Sequence, residues 1–313
     1  MSHPTLVTGA AGFAGGHLLD LLMSQGGDLV GWCRPNGRAP AASAGVRWAA
    51  VDLLDRDAVR AAIDELRPGR VFHCAGAAHV GQAWDRTTDA LAINVLGTHH
   101  LVEALRAAAP ACRLLIPSSA LVYAPSANAL REDALVRPSS PYGLSKLAQE
   151  MVGLGNPAGP QVWLARPFNH FGPRQDPAFA TSGFARQIAE IEAGLKAPEI
   201  SVGNLTTRRD LTDVRDTVRA YTAILDYGVP ERPYNVCSGR ALAVRDILDM
   251  LLAKARVSIR VVVDPARYRP SDSPIVLGDG RRIHDELGWH ATVALEQTLD
   301  DLLDFWRAQR PAS

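Results

Sequence analysis

The sequence predicts an α/β protein: a doubly wound parallel sheet joined to a smaller α/β lobe toward the C-terminus. Two observations carry this. Strand and helix signals alternate through the first half of the chain, the pattern of parallel βαβ units. A glycine-rich turn links the first strand signal to the first helix signal. The 313 residues suffice for one large α/β unit or two modest domains.

In order, residues 5–8 form a short strand candidate ahead of the glycine turn, and residues 15–24 an apolar-periodic helix. Residues 28–33 and 46–51 read as strands, 58–66 as a helix, and 71–74 as a strand. From Asp89 to Ala108, Leu91, Val95, Thr98, Leu101, Val102 and Leu105 recur at helical spacing. Residues 114–117 follow as a strand and 142–154 as a helix. The second half is less regular. Residues 167–177, rich in Pro, Asn and Gly, read as a loop; 184–195, 244–255 and 295–309 read as helices. Residues 200–211 suggest a short strand and turn, and 234–237 a strand returning to the main sheet. Two lobes sharing one cleft are expected, with residues 1–166 and 213–241 in the first and 167–212 and 242–313 in the second.

Composition narrows the function classes. The chain is 47% hydrophobic and 21% charged, with 33 basic and 33 acidic residues, so it carries no global footprint for nucleic acid or an anionic membrane. No apolar run approaches the ~20 residues of a transmembrane helix. The N-terminus enters a strand pattern without a charged leader or apolar core, so no secretory signal is expected. Cys33, Cys74, Cys112 and Cys237 are widely spaced, and the nine histidines make no ligand pattern. Reduced thiols, no metal site and a cytoplasmic enzyme are the expectation.

The turn runs Thr8-Gly9-Ala10-Ala11-Gly12-Phe13-Ala14-Gly15. Gly9 can make the tight turn, and Gly12 lets the backbone approach a pyrophosphate at the helix N-terminus. Gly15 lets the helix pack on the strand. A glycine turn of any α/β protein is the plainer alternative, but the strand before and the helix after favour a dinucleotide on a Rossmann-type sheet. At the end of the second strand, where NAD enzymes carry an acid for the ribose 2′-hydroxyl, stands Cys33-Arg34. Arg34, with Arg38 nearby, would pair with a 2′-phosphate, which favours NADP over NAD; a solvated surface arginine is the alternative. Asp52 and Leu53 follow the third strand, within reach of an adenine.

Tyr142 and Lys146 stand four apart and so share a helix face. A free tyrosine titrates near ~10, and a neighbouring ammonium would stabilise its anion. Ser118-Ser119 closes the preceding βα unit, at the carboxyl edge of the sheet where ligands bind. A Tyr-x-x-x-Lys alone also arises where tyrosine packs and lysine snorkels. The glycine turn, the serine pair and Tyr-x-x-x-Lys in this order are far more specific.

With those motifs on one chain, the sequence resembles the extended short-chain dehydrogenase/reductases over essentially its whole length. His73-x-Ala75-Gly76-Ala77, Asn94-x-x-Gly97-Thr98, Pro141-Tyr142-Gly143-x-Ser145-Lys146 and Arg166-Pro167-Phe168-Asn169 are further landmarks. The resemblance implies that Ser119, Tyr142 and Lys146 are catalytic. It places Gly9, Gly12, Phe13, Gly15, Ala75, Gly76, Ala77, Asn94 and Arg166 around the cofactor.

The second half resembles the GDP-mannose dehydratase and GDP-6-deoxy-4-ketohexose reductase group. The motifs are Arg166–Pro173, Gln187–Lys196, Val202-Gly203-Asn204 with Arg209-Asp210, Asp213–Asp216 and Tyr268-Arg269-Pro270-Ser271-Asp272. The resemblance implies that Asn169, Arg209 and Arg269 hold the pyrophosphate or ribose, that Asp272 takes a ribose hydroxyl, and that Val202 and Asn204 lie near the base. His79 joins this substrate set. For Arg209 an ion pair with Asp210 or Asp213 remains open. Related dehydratases carry a glutamate within two residues after the catalytic Ser or Thr; here Ala120 and Leu121 stand there. The expectation is therefore a reductase of a nucleotide-linked 4-keto-6-deoxyhexose, GDP favoured as the nucleotide, acting as a homodimer. A nucleotide-sugar 4-epimerase with retained NAD is the main rival, with a 4,6-dehydratase and a catalytically silent dinucleotide sensor behind it.

Overall fold

In a computed structural model, residues 3–37, 45–78, 80–155, 158–267 and 273–309 are described. Along the chain, β1 (Thr5–Thr8) leads through α1 (Phe13–Gln25) to β2 (Leu29–Cys33) and β3 (Val46–Ala50), and α2 (Arg56–Leu66) leads to β4 (Arg70–His73). Helices α3 (Val80–Asp85), α4 (Thr87–Leu91) and α5 (Gly97–Ala108) lead to β5 (Arg113–Pro117), and α6 (Pro141–Leu154) leads to β6 (Gln161–Pro167). Then come β7 (Asn169–Phe171), α7 (Ala180–Glu192), β8 (Glu199–Val202), β9 (Arg208–Asp213), α8 (Val214–Tyr227) and β10 (Pro233–Val236). The chain closes with β11 (Ala241–Ala243), α9 (Val244–Ala253), β12 (Arg260–Val263), β13 (Ile275–Val276), α10 (Arg281–Leu287) and α11 (Leu295–Ala308).

Seven strands form one sheet in the order β10-β6-β5-β4-β1-β2-β3, with every neighbouring pair parallel. This is the doubly wound Rossmann-type architecture expected. Two apolar layers seal the sheet. Leu18, Leu22, Val218, Tyr221 and Ile224 of α1 and α8 cover one face, and Val59, Ile63, Leu101 and Leu105 of α2 and α5 cover the other. Strand order reverses between β1 and β4, which opens a crevice beyond their carboxyl ends.

A smaller set of strands stands over that crevice. β9 pairs with β7, β11 and β13, and β8 pairs with β12. Helices α7, α9 and α11 pack a separate core, with Phe184, Ile188, Leu248, Leu251 and Leu302 at its centre. Among the described residues, no helix is long and apolar enough to cross a membrane.

The structure departs from the sequence reading in several places. Asn169–Phe171, read as loop, is a strand because β9 supplies its partner, with Asn169 opposite Leu211. Gln161–Pro167 is a buried strand between β5 and β10 that ends in Pro. Helix α8, absent from the sequence reading, carries Val214, Val218, Tyr221, Ile224 and Leu225 at helical spacing, and it also buries Asp216 and Thr217. Asp216 is satisfied by the backbone N–H groups of Thr292 and Val293, each at 2.9 Å. Finally, the run from Asp89 to Ala108 is interrupted by a wider π turn at Ala92–Leu96, a feature that often marks a functional position.

Candidate active site

The crevice holds a cavity of about 550 Å³, ordinary for a small-molecule site. Its floor is the glycine turn. Gly9 has φ +65°, and a Cβ there would lie 2.6 Å from the Ala75 backbone. Only glycine lets β1's turn pass so close to the loop after β4. Gly12 N–H bonds the Gly9 carbonyl at 2.9 Å, and α1 begins without a side-chain cap. Its first N–H groups are thus left for a ligand anion. Phe13 stacks on His170 of β7, ring centroids 5.8 Å apart and planes 4° apart, which joins the turn to the smaller lobe.

The opposite wall comes from α6. Ser140 caps that helix by accepting the Gly143 N–H at 3.1 Å, and Pro141 occupies its first turn. Any Cβ on Gly143 would collide with the Leu121 carbonyl oxygen, so α6 sits directly against the segment that carries Ser119. Tyr142 and Lys146 face the cavity one turn apart. Ser119 Oγ accepts the Leu121 N–H at 3.1 Å and lies beside the Tyr142 phenol. Burial pushes the phenol up to about 12, opposed by the nearby Ser119 hydroxyl. Burial lowers the Lys146 ammonium to about 8, opposed by Glu150 and Cys74. A protonated phenol, a fixed hydroxyl and an ammonium then line one cavity, and such a group can protonate an oxygen held between Ser119 and Tyr142.

Gly9, Gly12, Phe13, Gly15, Ala75, Gly76, Ala77, Ser119, Tyr142, Lys146, Asn169, Asn204 and Arg209 all line this cavity. Asn94 does not, but it supports it. From the π turn its Oδ1 accepts the Ala77 N–H at 2.9 Å and its amide donates to Ser145 Oγ at 2.9 Å. It thereby ties the loop after β4 to α6.

Other expected residues lie elsewhere. The Arg166 side chain, expected around the cofactor, turns away. Its Nε and Nη2 grip the Glu150 carboxylate at 2.9 and 2.7 Å, and Nη1 reaches the Tyr123 hydroxyl at 3.1 Å. Its neighbours Pro167 and Phe168 line the cavity instead. Val202 is 1% exposed and packs in the core of the smaller lobe, so of the expected base-side pair only Asn204 faces the ligand space. Asp52 accepts the Leu54 N–H at 3.0 Å, and Leu53 is buried against α5. Neither lines the cavity, and nor does the exposed Arg34. His79, Arg269, Asp272 and Arg38 fall outside the described residues. The carboxylates weighed as partners of Arg209 are engaged elsewhere: Asp210 accepts from Ser238, Gly239 and Gly278, and Asp213 from Arg215 and Thr298. Arg209 donates to the carbonyls of Arg208 and Ser273, at 2.8 and 3.1 Å.

The sequence reading missed Gln175, and of the Ser118-Ser119 pair it gave a role to Ser119 alone. Gln175 and Ser118 are both more than nine-tenths buried and line the cavity, and Ser118 Oγ and Gln175 Oε1 have no hydrogen-bond partner among the described residues. Orphaned polar atoms of this kind call for a ligand partner. Together with the glycine cradle they fit a dinucleotide in the crevice. The available signal was polarity at the tail of the Asn169–Pro173 run and beside Ser119.

The comparisons with known proteins agree with this geometry. The family described as GDP-mannose 4,6 dehydratase matches residues 6–302. GDP-6-deoxy-D-mannose reductase of Pseudomonas aeruginosa is 35% identical, covering 99% of this chain and 99% of that protein. UDP-glucose 4-epimerase of Mycolicibacterium smegmatis is 29% identical over 97% and 98% of the two chains. Among solved structures, RMD from Pseudomonas aeruginosa complexed with NADPH superposes with a TM-score of 0.83 at 32% identity, covering 99% of this chain and 100% of that one.

Proposed function

The chain belongs to the GDP-mannose 4,6-dehydratase family, and from that premise we propose that it reduces the C4 ketone of a nucleotide-linked 4-keto-6-deoxyhexose, with GDP as the nucleotide and NADPH as the reductant. The carrying observation is a pairing of presence and absence. Ser119, Tyr142 and Lys146 meet at the cavity, while Ala120 and Leu121 occupy the two positions after Ser119. Elimination of water across C5 and C6 needs one group to take the C5 proton and another to protonate the leaving hydroxyl. Neither alanine nor leucine moves a proton.

The residues divide the work. Gly9, Gly12, the N-terminus of α1 and Ala75–Ala77 would hold the dinucleotide, with Arg34 at its 2′-phosphate. When bound, the reduced nicotinamide supplies a hydride to C4. Ser119 positions the C4 oxygen, and Tyr142 donates its phenolic proton to that oxygen as charge develops. Lys146 steadies the resulting tyrosinate. Asn169, Asn204 and Arg209, with Arg269 and Asp272, would orient the nucleoside diphosphate, so that positioning supplies much of the acceleration. The similarity to GDP-6-deoxy-D-mannose reductase and to the NADPH-bound structure supports this reading. A homodimer in the cytoplasm is part of it. Leu144 and Met151, half or more exposed on one face of α6, support the pairing, and the four free thiols support a reducing compartment.

The test is direct. GDP-4-keto-6-deoxymannose with NADPH is expected to be reduced, the product sugar being identified by NMR. GDP-mannose with NADP is expected to give no alkali-absorbing keto product. Robust conversion of GDP-mannose would overturn the assignment. Purified protein carrying tightly held NAD and interconverting C4 epimers without added reductant would point to the epimerase instead.

A further inference from the structure

The chain has three lysines, at positions 146, 196 and 254. Lys196 pairs with Glu190 and Lys254 with Asp300. Lys146 is placed differently: its ammonium donates to the amide oxygen of Gln149, one turn further along α6. Gln149 is fully buried, and its Nε2 donates to Thr98 Oγ1 at 2.9 Å.

The direction of every bond in this row follows from proton counting. Thr98 has one hydroxyl proton, and it goes to the Asn94 carbonyl at 2.6 Å. Thr98 Oγ1 must therefore accept from its other neighbours, Gln149 Nε2 and His73 Nε2, the latter at 2.9 Å. A neutral histidine protonated on Nε2 presents Nδ1 as an acceptor, which the Thr8 hydroxyl fills at 2.8 Å. Thr8 Oγ1 then accepts the Ala75 N–H at 3.2 Å. Burial and the Lys146 charge hold His73 down at about 3, so it stays neutral throughout. The row runs from Lys146 to the backbone of the loop that lines the cofactor cavity, and it has no proton left to reverse.

We propose that Gln149 is a positioning residue, holding the Lys146 ammonium in place and tying it through Thr98, His73 and Thr8 to the Ala75 backbone. This rests on the reading of Lys146 as the partner of Tyr142 in C4 reduction. Gln149 cannot turn its amide, because Thr98 has no proton to offer Oε1. Lys146 consequently always meets an acceptor, and a neutral one. A neutral acceptor holds a lysine in either protonation state, whereas a carboxylate would lock it as the ammonium. The titratable groups that act on Lys146 are Glu150 on α6, and His73 and Cys74 at the end of β4, with Tyr142 one turn before it on α6. Glu150 is itself held by Arg166.

The experiment is a pH titration of 13Cε-lysine-labelled full-length protein by NMR, where three lysines give a readable spectrum. The Lys146 resonance is the one lost in Lys146→Met. Gln149→Glu, which keeps the shape, is expected to raise the Lys146 midpoint by about one unit or more, because a buried carboxylate favours the charged form. Gln149→Leu removes the acceptor and is expected to lower it by about one unit. The alkaline limb of the kcat–pH profile should move with each midpoint while KM for the sugar stays near wild type. Midpoints unchanged in both variants overturn the proposal. If Gln149→Leu does not fold, the Gln149→Glu result decides alone. The titration needs neither sugar nor hydride transfer, so a failed C4 assay would sink the reading of the reaction and leave this measurement intact.

Discussion

Arg166 and Glu150 form a bidentate ion pair, 2.9 and 2.7 Å, with their side chains only 7% and 4% exposed. The Tyr123 ring lies under the guanidinium, 4.9 Å from its centre. The pair fastens β6 to α6, and thus the sheet to the helix that carries Tyr142 and Lys146. The contact joins two elements of the fold, although Arg166 stands in a run that otherwise faces the cavity.

Removing one partner of such a pair leaves a buried charge uncompensated. Glu150→Gln is expected to cost about 3–5 kcal/mol of stability, read as a fall in thermal or denaturant midpoint. The dissociation constant for NADPH should stay close to wild type in the folded variant. A variant of normal stability with much weaker NADPH binding would return Arg166 to the cofactor.

Tyr142→Phe should keep dinucleotide binding and lose at least ~10²-fold in kcat, the scale of a positioned acid. The pH dependence follows from two opposite shifts. The phenol, pushed up to about 12, stays protonated and ready to donate across the neutral range. Lys146, lowered to about 8, loses its charge as pH rises through that value, so reduction should slow above about pH 8. Lys146→Met should abolish that limb; a limb that persists in Lys146→Met belongs to another group.

Arg34 tests the cofactor assignment. Exposed beyond the end of β2, it is free to meet a 2′-phosphate, and Arg34→Ala should raise KM for NADPH roughly tenfold, the worth of a charge-assisted pair. KM for NADH should barely change. Equal effects on the two cofactors would remove Arg34 from that role.

Assembly follows from α6. Leu144 is 50% and Met151 65% exposed, seven residues apart and so on one helix face. Sedimentation at micromolar concentration should find a dimer, and Leu144→Asp with Met151→Asp should convert it to monomer. A wild-type chain that sediments only as monomer would refute the pairing.

What the sequence determined by itself was the local chemistry. The glycine turn after β1, the alternation that builds a parallel sheet, and the i to i+4 spacing of Tyr142 and Lys146 are all decided within a few residues, where backbone sterics and helix geometry leave little choice. Ala120 and Leu121 likewise narrow the reaction without any fold. Tertiary structure decided which of several partners each polar group took. Arg166 chose Glu150, Asn94 reached Ala77 and Ser145 from a π turn, and Asp216 sat in the core of α8 because distant N–H groups met it. Strand β7 exists only because β9 lies beside it. These outcomes turn on contacts between residues remote in sequence. A buried polar side chain must be satisfied by whatever the fold brings near, and residue spacing carries no record of that neighbour.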